Sequence, residues 1–272
     1  MRYLHEFDGE ALPRSLREIA RERVAGPLVG RIESMGLTVE VIHSLAPIYE
    51  INRLDPERRP IWHQYDLALH PHLDHTNSVS VVIRKDRAPV ACSVGILAWV
   101  ETSLADEMES LLHFYEDPER MAEPTDRCVV TATTASTIRH CSAAWSVAFW
   151  SATGHGRPGN PITSAVIRLA HLWMLAHWRF SYLVALSRDA MARRYAIEIC
   201  GFASCEIGIW IPGATRTAKE RERWLLSAPR DFLRWNFLRP EAADLDFPLG
   251  YPSPRPGTGT DARDGAHSAA AE

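Results

Sequence analysis

The chain has no CxxC pair and no excess of positive charge, and each absence excludes a class of protein. Its five cysteines are an odd number, which argues against a disulfide framework or a structural zinc site and favours reduced, mostly buried thiols. The 30 basic and 34 acidic side chains give a net charge of −4. Such a chain offers no excess positive field for phosphate, so general nucleic-acid binding is disfavoured.

Apolar runs free of charge are also missing. The first ten residues, MRYLHEFDGE, are charged and lack the apolar segment of a secretory signal. The most apolar stretch, 161–186, carries Arg168, His171, His177 and Arg179, which disfavours a membrane span. Together with the reduced thiols, these features lead us to expect a cytoplasmic protein.

What the chain does have is apolar content and tryptophan. Of its 272 residues, 46% are hydrophobic and nine are tryptophan, so a sizeable core is expected. Four of the nine are Trp145, Trp150, Trp173 and Trp178. We expect them mainly in that core, where each buries a large area, and some could line an acyl tunnel.

The order of predicted elements indicates an α+β domain with α/β-like layers and a mixed central sheet. Period-two alternation over 78–100 predicts a β-hairpin, and helical spacing over 102–120 predicts a helix. Further on, the pattern predicts a strand at 142–153, a glycine-rich loop at 154–161 and a helix at 162–178. A strand at 181–187, a helix at 188–200 and a last strand at 205–211 follow. Short links between these elements predict a parallel strand pair.

Composition divides the chain into four segments. Residues 1–34 form a predicted N-terminal helical extension, and 35–212 form the main domain. Residues 213–248 form a predicted C-terminal helical extension, in which Trp224 and Leu225 are apolar anchors of a charged helix. Residues 249–272 have almost nothing to bury and are predicted to be a disordered tail.

One candidate motif is the string His70-Pro-His72-Leu-Asp74-His75, which matches the H-x-H-x-D-H metal-binding string of the metallo-β-lactamase superfamily. Imidazoles and a carboxylate in one loop could hold zinc and activate water, so a metal-dependent hydrolase is an alternative function. The charged sequence WHQYD precedes the string and a strand follows it, however, whereas that superfamily places the string between an apolar strand and a glycine-led helix. A polar loop is therefore the favoured interpretation, and no metal is expected.

A second motif, Gly154-His155-Gly156-Arg157-Pro158-Gly159, has the G-x-G-x-x-G spacing of a dinucleotide-binding loop. Too few strands follow it for a doubly wound dinucleotide domain, and Asp189 lies about 30 residues on, beyond the usual distance of about 20. The same loop, with Arg157 and the following helix N-terminus, can instead form a cradle for an anion.

The whole order of elements resembles the GNAT superfamily of acyl-CoA-dependent N-acyltransferases. The run SVSVVIRKDRAPVACSVGILAWV resembles its early strands, and AAWSVAFWSATGHGRPGNPITSAVIRLAHLWML resembles its central strand, pyrophosphate loop and helix. SYLVALSRDAMARRYAIEICGFASCEIGIWI resembles the next strand, helix and closing strand, with weaker similarity to the autoinducer synthase and N-acyl amino acid synthase branch. The resemblance covers about 35–212. Asn160 and Ile162 stand where the family loop has glycine and a small residue, and Ile197 stands where it often has tyrosine.

The resemblance implies transfer of an acyl group from acyl-CoA, or from an acyl carrier protein, to an amine of a small molecule or peptide. It implies Glu101 as the base and Tyr195 as the donor to the leaving thiolate. The helix at 102–120 would cap the acceptor site. A non-catalytic GNAT-like binding protein is the other alternative, and a homodimer stays open. The implied acyl-CoA-binding residues are Trp150, Ala152, Gly154, Gly156, Arg157, Gly159, Asn160, Thr163 and Ser164.

Overall fold

The protein, described by a computed structural model over residues 9–54, 61–152, 161–188, 197, 200–212 and 221–244, is built around a mixed sheet. Its strands are β1 (Thr38–Ile42), β2 (Ser78–Lys85), β3 (Ala88–Ser103), β4 (Val129–Val130), β5 (Arg139–Ser151), β6 (Tyr182–Ser187), β7 (Ser204–Trp210) and β8 (Glu222–Pro229). They lie in the order β1-β2-β3-β5-β6-β8-β7-β4. Only the β5–β6 pair is parallel among these neighbours.

Helices cover both faces of the sheet. They are α1 (Arg14–Glu18), a π-helix (Ile19–Ala25), α2 (Gly26–Ser34), α3 (Ala46–Leu54), α4 (Leu104–Glu109), α5 (Pro118–Met121), α6 (Thr133–Thr137), α7 (Pro161–His177) and α8 (Arg230–Phe237), with 3₁₀ turns at His63–Tyr65 and Pro240–Ala243. The α+β class with a mixed sheet flanked by helices, predicted from the sequence, is confirmed. No helix in the described segments has the length and apolar character that crossing a membrane needs.

The predicted hairpin and the predicted strand–helix–strand unit are both present. Strands β2 and β3 pair antiparallel through Lys85 and Ala88, and Asp86 and Arg87 between them have φ of 49° and 72°. Two residues of positive φ give a turn whose twist suits a two-residue hairpin. The helix α7 follows β5 and is buried along almost its whole length, as its nearly uninterrupted apolar sequence predicts.

The two faces of the sheet bury separate clusters. We call the side covered by α7 and the N-terminal helices the α7 face; Leu28, Ile32 and Leu169 are buried there. The other side, the opposite face, buries side chains of α3 and α4 together with Trp145, Phe114 and Tyr115. The alternation of side chains along each strand separates the two sets.

The predicted charged helix after residue 212 is wrong at its start. Residues Glu222–Pro229 form β8, which lies between β6 and β7 in the sheet. Leu225 packs into the cluster of the opposite face and Leu226 into that of the α7 face. Successive side chains therefore point to opposite faces, as they do in a strand that is buried on both sides. The sheet therefore continues past the predicted boundary at residue 212, and the helix α8 begins only at Arg230.

The predicted helix at 102–120 is also interrupted. Ser103 caps α4 by accepting a hydrogen bond from the Asp106 backbone N–H, but the helix ends at Glu109. Leu111 has φ of 67°, a left-handed conformation that an α-helix does not continue through. The chain turns there and buries Phe114 and Tyr115 beneath the opposite face. The predicted helix at 188–200 and the predicted tail lie outside the described residues, apart from isolated positions of that helix.

Candidate functional site

The parallel strands β5 and β6 separate part of the way along their length. They pair only at Ala143–Trp145 with Tyr182–Val184. Beyond this point β5 continues to Ser151 and β6 to Ser187, each still paired with its outer neighbour but not with the other. We call this opening, between 146–151 and 185–187, the splay. It exposes two strand edges in the middle of an eight-stranded sheet.

A β-bulge lies at the root of the splay. Ala148 pairs with Val94 and Ser146 with Gly95, so Val147 is an extra residue on β5. A bulge bends its strand and disrupts the hydrogen-bond ladder locally, and bulges are common beside active sites. Residues 146–149 are all partly exposed although β5 is a central strand. The splay therefore leaves this part of the central strand β5 partly exposed.

Four of the predicted acyl-CoA-binding residues lie at the splay end of the sheet. Trp150 and Ala152 are at the end of β5, and Thr163 and Ser164 are in the first turn of α7, on the α7 face. The Trp150 Nε1 and the Ser164 Oγ are buried and have no hydrogen-bond partner within the described segments. Buried polar groups are normally satisfied, so these two atoms fit a polar ligand at this end of the sheet. The other predicted loop residues, Gly154, Gly156, Arg157, Gly159 and Asn160, lie outside the described residues.

The structure does not bring Glu101 together with Trp150. Trp150 pairs with Cys92, and Glu101 follows Cys92 by nine positions along β3. At the rise of a β-strand this separation is about 30 Å. Glu101 is exposed, and its Oε2 accepts a hydrogen bond from the Trp99 Nε1 at 2.6 Å. Tyr195, the other predicted catalytic residue, lies outside the described residues.

A groove of about 610 Å³ lies near Glu101, at the end of the sheet remote from the splay. Its lining includes Trp99, His140, Arg179 and Arg230. The Arg230 guanidinium donates hydrogen bonds to the carbonyl oxygens of Leu175 and Trp178 at the end of α7. At this end β5 pairs with β3 on one side and, over Ala143–Trp145, with β6 on the other, so the groove lies beside the closed part of the β5–β6 pair.

The string at 70–75 does not form a metal centre. His70 is buried, with its ring 5.6 Å from that of His72, while the exposed Asp74 accepts hydrogen bonds from the backbone and hydroxyl of Thr76. Burial, then the His72 charge, lowers the pKa of His70. Over the described ranges, no three or more His, Cys, Asp or Glu side chains are grouped to hold a metal ion.

The sequence predictions missed a polar network on the opposite face beside the splay. The ring of His113 stacks on Trp145 with centroids 4.0 Å apart, and Trp145 is the last β5 residue paired with β6. The Nε2 of His113 is 2.9 Å from the amide nitrogen of Gln64. Burial and the neighbouring His70 lower the pKa of His113 to about 3, so its ring is neutral at pH 7.

Two segments supply this network, and the sequence of each contains a feature that could have indicated it. Trp62, His63 and Gln64 belong to the WHQYD string, and His113 and Tyr115 belong to the segment predicted to cap the acceptor site. In each segment a histidine stands beside an aromatic residue, in Trp62-His63 and in His113-Phe114. Their partners are far apart in sequence, so the spacing alone did not pair them.

A narrow cleft opens beside this network. Its cavity volume is only about 10 Å³, room for about one water molecule, and it is lined by Trp62, His63, Gln64, Phe114, Ile211 and Pro212. Ile211 follows directly on β7, whose Trp210 pairs with Glu222 at the start of β8, and β8 pairs with the end of β6. The cleft, hereafter the His63 cleft, is therefore at the splay end of the sheet and on the face opposite α7.

Comparisons with known proteins find likeness among solved structures but not among sequences. Neither a protein-family model nor a curated protein sequence matches the chain. Among solved structures, the chain is similar to Arabidopsis thaliana NAA60 in complex with acetyl-CoA, with 10% sequence identity and a TM-score of 0.39. The match covers 71% of this chain and 98% of that chain.

Proposed function

We propose that this protein is an acyltransferase that moves an acyl group from an acyl thioester, acyl-CoA or an acyl carrier protein, to an amine of a small molecule or peptide. The proposal rests on one observation, the splay between β5 and β6 with the bulge at Val147. The pantetheine arm of acyl-CoA carries two amides, and amides pair with an open strand edge as a further strand does.

The surroundings of the splay support a donor that enters from the α7 side. The N-terminus of α7 directs backbone N–H groups and the positive end of its dipole toward the splay end of the sheet, where a diphosphate would be stabilised. The buried Ser164 hydroxyl is placed in the same turn. Arg157 and the glycines of 154–159 remain the predicted diphosphate loop, and bidentate pairing with phosphate is the role proposed for Arg157.

The acceptor amine is proposed to approach from the face opposite α7. Donor and acceptor would then meet across the splay without competing for one surface. Backbone N–H groups at the bulge would polarise the thioester carbonyl as charge develops on its oxygen. The remaining requirement is a group that takes up the proton of the amine, either a side chain or an ordered water.

Ligand binding tests the donor assignment. The melting temperature of the protein would be measured with increasing acetyl-CoA and with longer acyl-CoAs, because a ligand that binds the folded state raises it by mass action. A saturable increase with at least one acyl-CoA is expected. No increase with acetyl-CoA or any longer acyl-CoA would overturn the proposed function.

Two matched variants locate the site. Ala148 and Ala98 are both partly exposed and pack on the same face, but Ala148 lies in the splay and Ala98 pairs with Ala143 in the closed part of the sheet. Ala148→Trp should fill the splay and abolish the increase in melting temperature, whereas Ala98→Trp should leave it. Equal effects of the two variants would place the ligand elsewhere. Arg157→Ala should weaken binding by removing the phosphate partner.

A further inference from the structure

The groove of about 610 Å³ at the end of the sheet remote from the splay has no part in the proposed reaction. Arg179 and Phe180, which follow the C-terminus of α7, line the groove, whereas the splay borders the N-terminus of that helix. The 17 residues of α7 span about 25 Å at the rise of an α-helix, so a small molecule in the groove is separate from a donor in the splay. The volume of the groove lies within the range of about 300–1,000 Å³ that is typical of small-molecule sites.

Arg230 gives the lining of the groove a positive charge that no described carboxylate pairs with. Its half-buried guanidinium donates hydrogen bonds to three backbone carbonyl oxygens, those of Ala11, Leu175 and Trp178. A guanidinium has five N–H donors, so two of them have no partner among the described residues. The neighbouring acid, Asp231, lies 3.4 Å from the Nη1 of Arg234. Arg230 is therefore held in place by the backbone and still has donors to offer a ligand.

Arg179 adds a second positive charge close to the first. It is exposed at the groove and makes no hydrogen bond or ion pair with the described residues. Burial lowers the pKa of Arg230, followed by repulsion from Arg234 and Arg179, with Asp231 opposing the shift. The two guanidinium groups that line the groove therefore repel each other, and an anion bound to both would relieve this repulsion.

Part of the groove lining is aromatic. Trp99 lines the groove and is 58% exposed, although it is one of the largest apolar side chains. Its Nε1 donates to the Glu101 Oε2 at 2.6 Å, which anchors one edge of the indole and leaves its ring without a stacking partner in the described residues. The buried Leu12 and Phe180 continue the apolar lining. An anchored but exposed indole offers a stacking surface to a planar ligand.

A β-bulge lies where His140 joins the lining. His140 has φ of 48°, a left-handed conformation that residues other than glycine rarely adopt, and the register of β3 and β5 shifts between Val100 and Ser103. Bulges change the direction of side chains and are common at functional sites. Among the described lining residues, Glu10 is the only acid, whereas Arg179, Arg230 and His140 are basic. The groove is therefore positive although the whole chain has a net charge of −4.

We propose that the groove binds a small aromatic carboxylate, with its carboxylate on the guanidinium groups of Arg179 and Arg230 and its ring against Trp99. A carboxylate accepts paired hydrogen bonds from guanidinium groups, and such charge-assisted hydrogen bonds are stronger than neutral ones. A neutral aromatic molecule would leave the two positive charges uncompensated, and an inorganic anion would leave the indole uncovered. The site is separate from the splay, so this inference does not depend on the proposed acyltransferase function.

Isothermal titration calorimetry of the purified full-length protein tests the ligand class. The probes are 2-naphthoate and 3-phenylpropionate, which combine a carboxylate with an aromatic ring. The comparison molecules are 2-naphthamide, the uncharged analogue of the first probe, and inorganic phosphate, an anion without a ring. At least one of the two carboxylates should bind at a single site, and about tenfold or more tightly than either comparison molecule, because only it satisfies both parts of the groove.

Two pairs of variants locate the site, and all four positions are exposed, so the fold should tolerate each change. Arg179→Met should weaken binding of the carboxylate by about tenfold or more, because it removes charge-assisted hydrogen bonds. Arg139→Met, at an exposed arginine outside the groove, is its matched control and should bind as the wild type does. Trp99→Leu should weaken binding by about three- to tenfold through lost stacking, whereas Trp235→Leu, at a tryptophan outside the groove, should have no effect.

Several results would overturn the inference. The first is failure of the wild-type protein to bind either aromatic carboxylate at millimolar concentration. Binding of 2-naphthamide or phosphate with the affinity of the carboxylates would contradict the ligand class, and unchanged affinity in both Arg179→Met and Trp99→Leu would contradict the site. Ala148→Trp, which fills the splay, should bind the carboxylate as the wild type does, and loss of binding in this variant would place the ligand in the splay.

Discussion

The two faces of the sheet differ in what they bury. On the α7 face the polar side chains act on the backbone: the buried Arg168 donates to the carbonyl oxygens of Ala242 and Asp244, and His171 contacts the Cys200 carbonyl at 3.1 Å. On the opposite face polar side chains contact one another, through Gln64 with His113 and Tyr115 with Asp126. Bonds to the backbone fix a fold, whereas paired side chains offer groups that can exchange protons.

This difference indicates that the polar side chains of the α7 face mainly stabilise the fold. Under the proposed function, acyl transfer would take place at the splay, where the β5 backbone is open between the two faces. Substitutions in the core of the α7 face should therefore change unfolding more than function, and Ala148→Trp in the splay should do the reverse.

The largest expected effect is on the α7 face. Leu169 is fully buried within α7, and Leu169→Ala should lower the free energy of unfolding by about 2–5 kcal/mol, from lost transfer energy and the cavity left behind. Urea denaturation gives the value. His63→Gln, at a partly exposed position, should cost less than about 1 kcal/mol. If the two variants were equally destabilised, the contrast between the faces would not hold.

A matched surface control accompanies this prediction. Leu112 is 53% exposed on the opposite face, and Leu112→Ala should change the free energy of unfolding by no more than about 0.5 kcal/mol. A loss comparable to that of Leu169→Ala would show that Leu112 packs in solution against something other than the described residues.

The second effect is a pH dependence of stability. Burial lowers the pKa of His171 to about 4, with the Cys200 carbonyl opposing the shift, while the unfolded value is about 6.5. The folded state then binds fewer protons than the unfolded state between these values, so the contribution is complete above pH 6.5 and is lost as pH falls toward 4. The free energy of unfolding should fall by up to about 3 kcal/mol from this group.

Comparison of two variants isolates that contribution. His171→Leu removes the titration, so urea unfolding at pH 7 and pH 4.5 should show a smaller loss than in the wild type. His75→Ala, at an exposed histidine, should retain the wild-type difference between the two pH values. An unchanged pH dependence in His171→Leu would mean that His171 is not a neutral buried ring.

The smallest effect concerns the network of the opposite face. Tyr115→Phe removes the donor to the buried Asp126, and a hydrogen bond to a charged group contributes about 1–3 kcal/mol. Its unfolding free energy should fall by this amount, less than for Leu169→Ala. Urea denaturation of the two variants checks this order, and an unchanged free energy of unfolding in Tyr115→Phe would mean that the hydrogen bond to Asp126 does not stabilise the folded state.

The elements that the sequence predicted well have strong local patterns. The period-two run at 78–100 and the apolar run at 161–178 correspond to the β2–β3 hairpin and to α7 because binary patterning reports burial directly. The prediction for Glu222–Pro229 was wrong because it relied on the same kind of pattern. The charged residues of this segment are typical of a surface helix, but Arg223 is buried in the sheet and the apolar residues face both clusters. Four of the five cysteines are buried, as the sequence predicts, and the string at 70–75 lies in turns that precede β2.

By itself, the sequence determined the α+β class, the β2–β3 hairpin and the position of the strand and helix that border the splay, because these depend on short-range periodicity and on turn residues. Tertiary structure alone decided where β5 and β6 separate, that Glu101 lies about 30 Å from Trp150, and that His63 meets Tyr115 across 52 positions. Such contacts depend on the strand register and on the path of the loops over the sheet. The spacing of residues along the chain predicts neither of them.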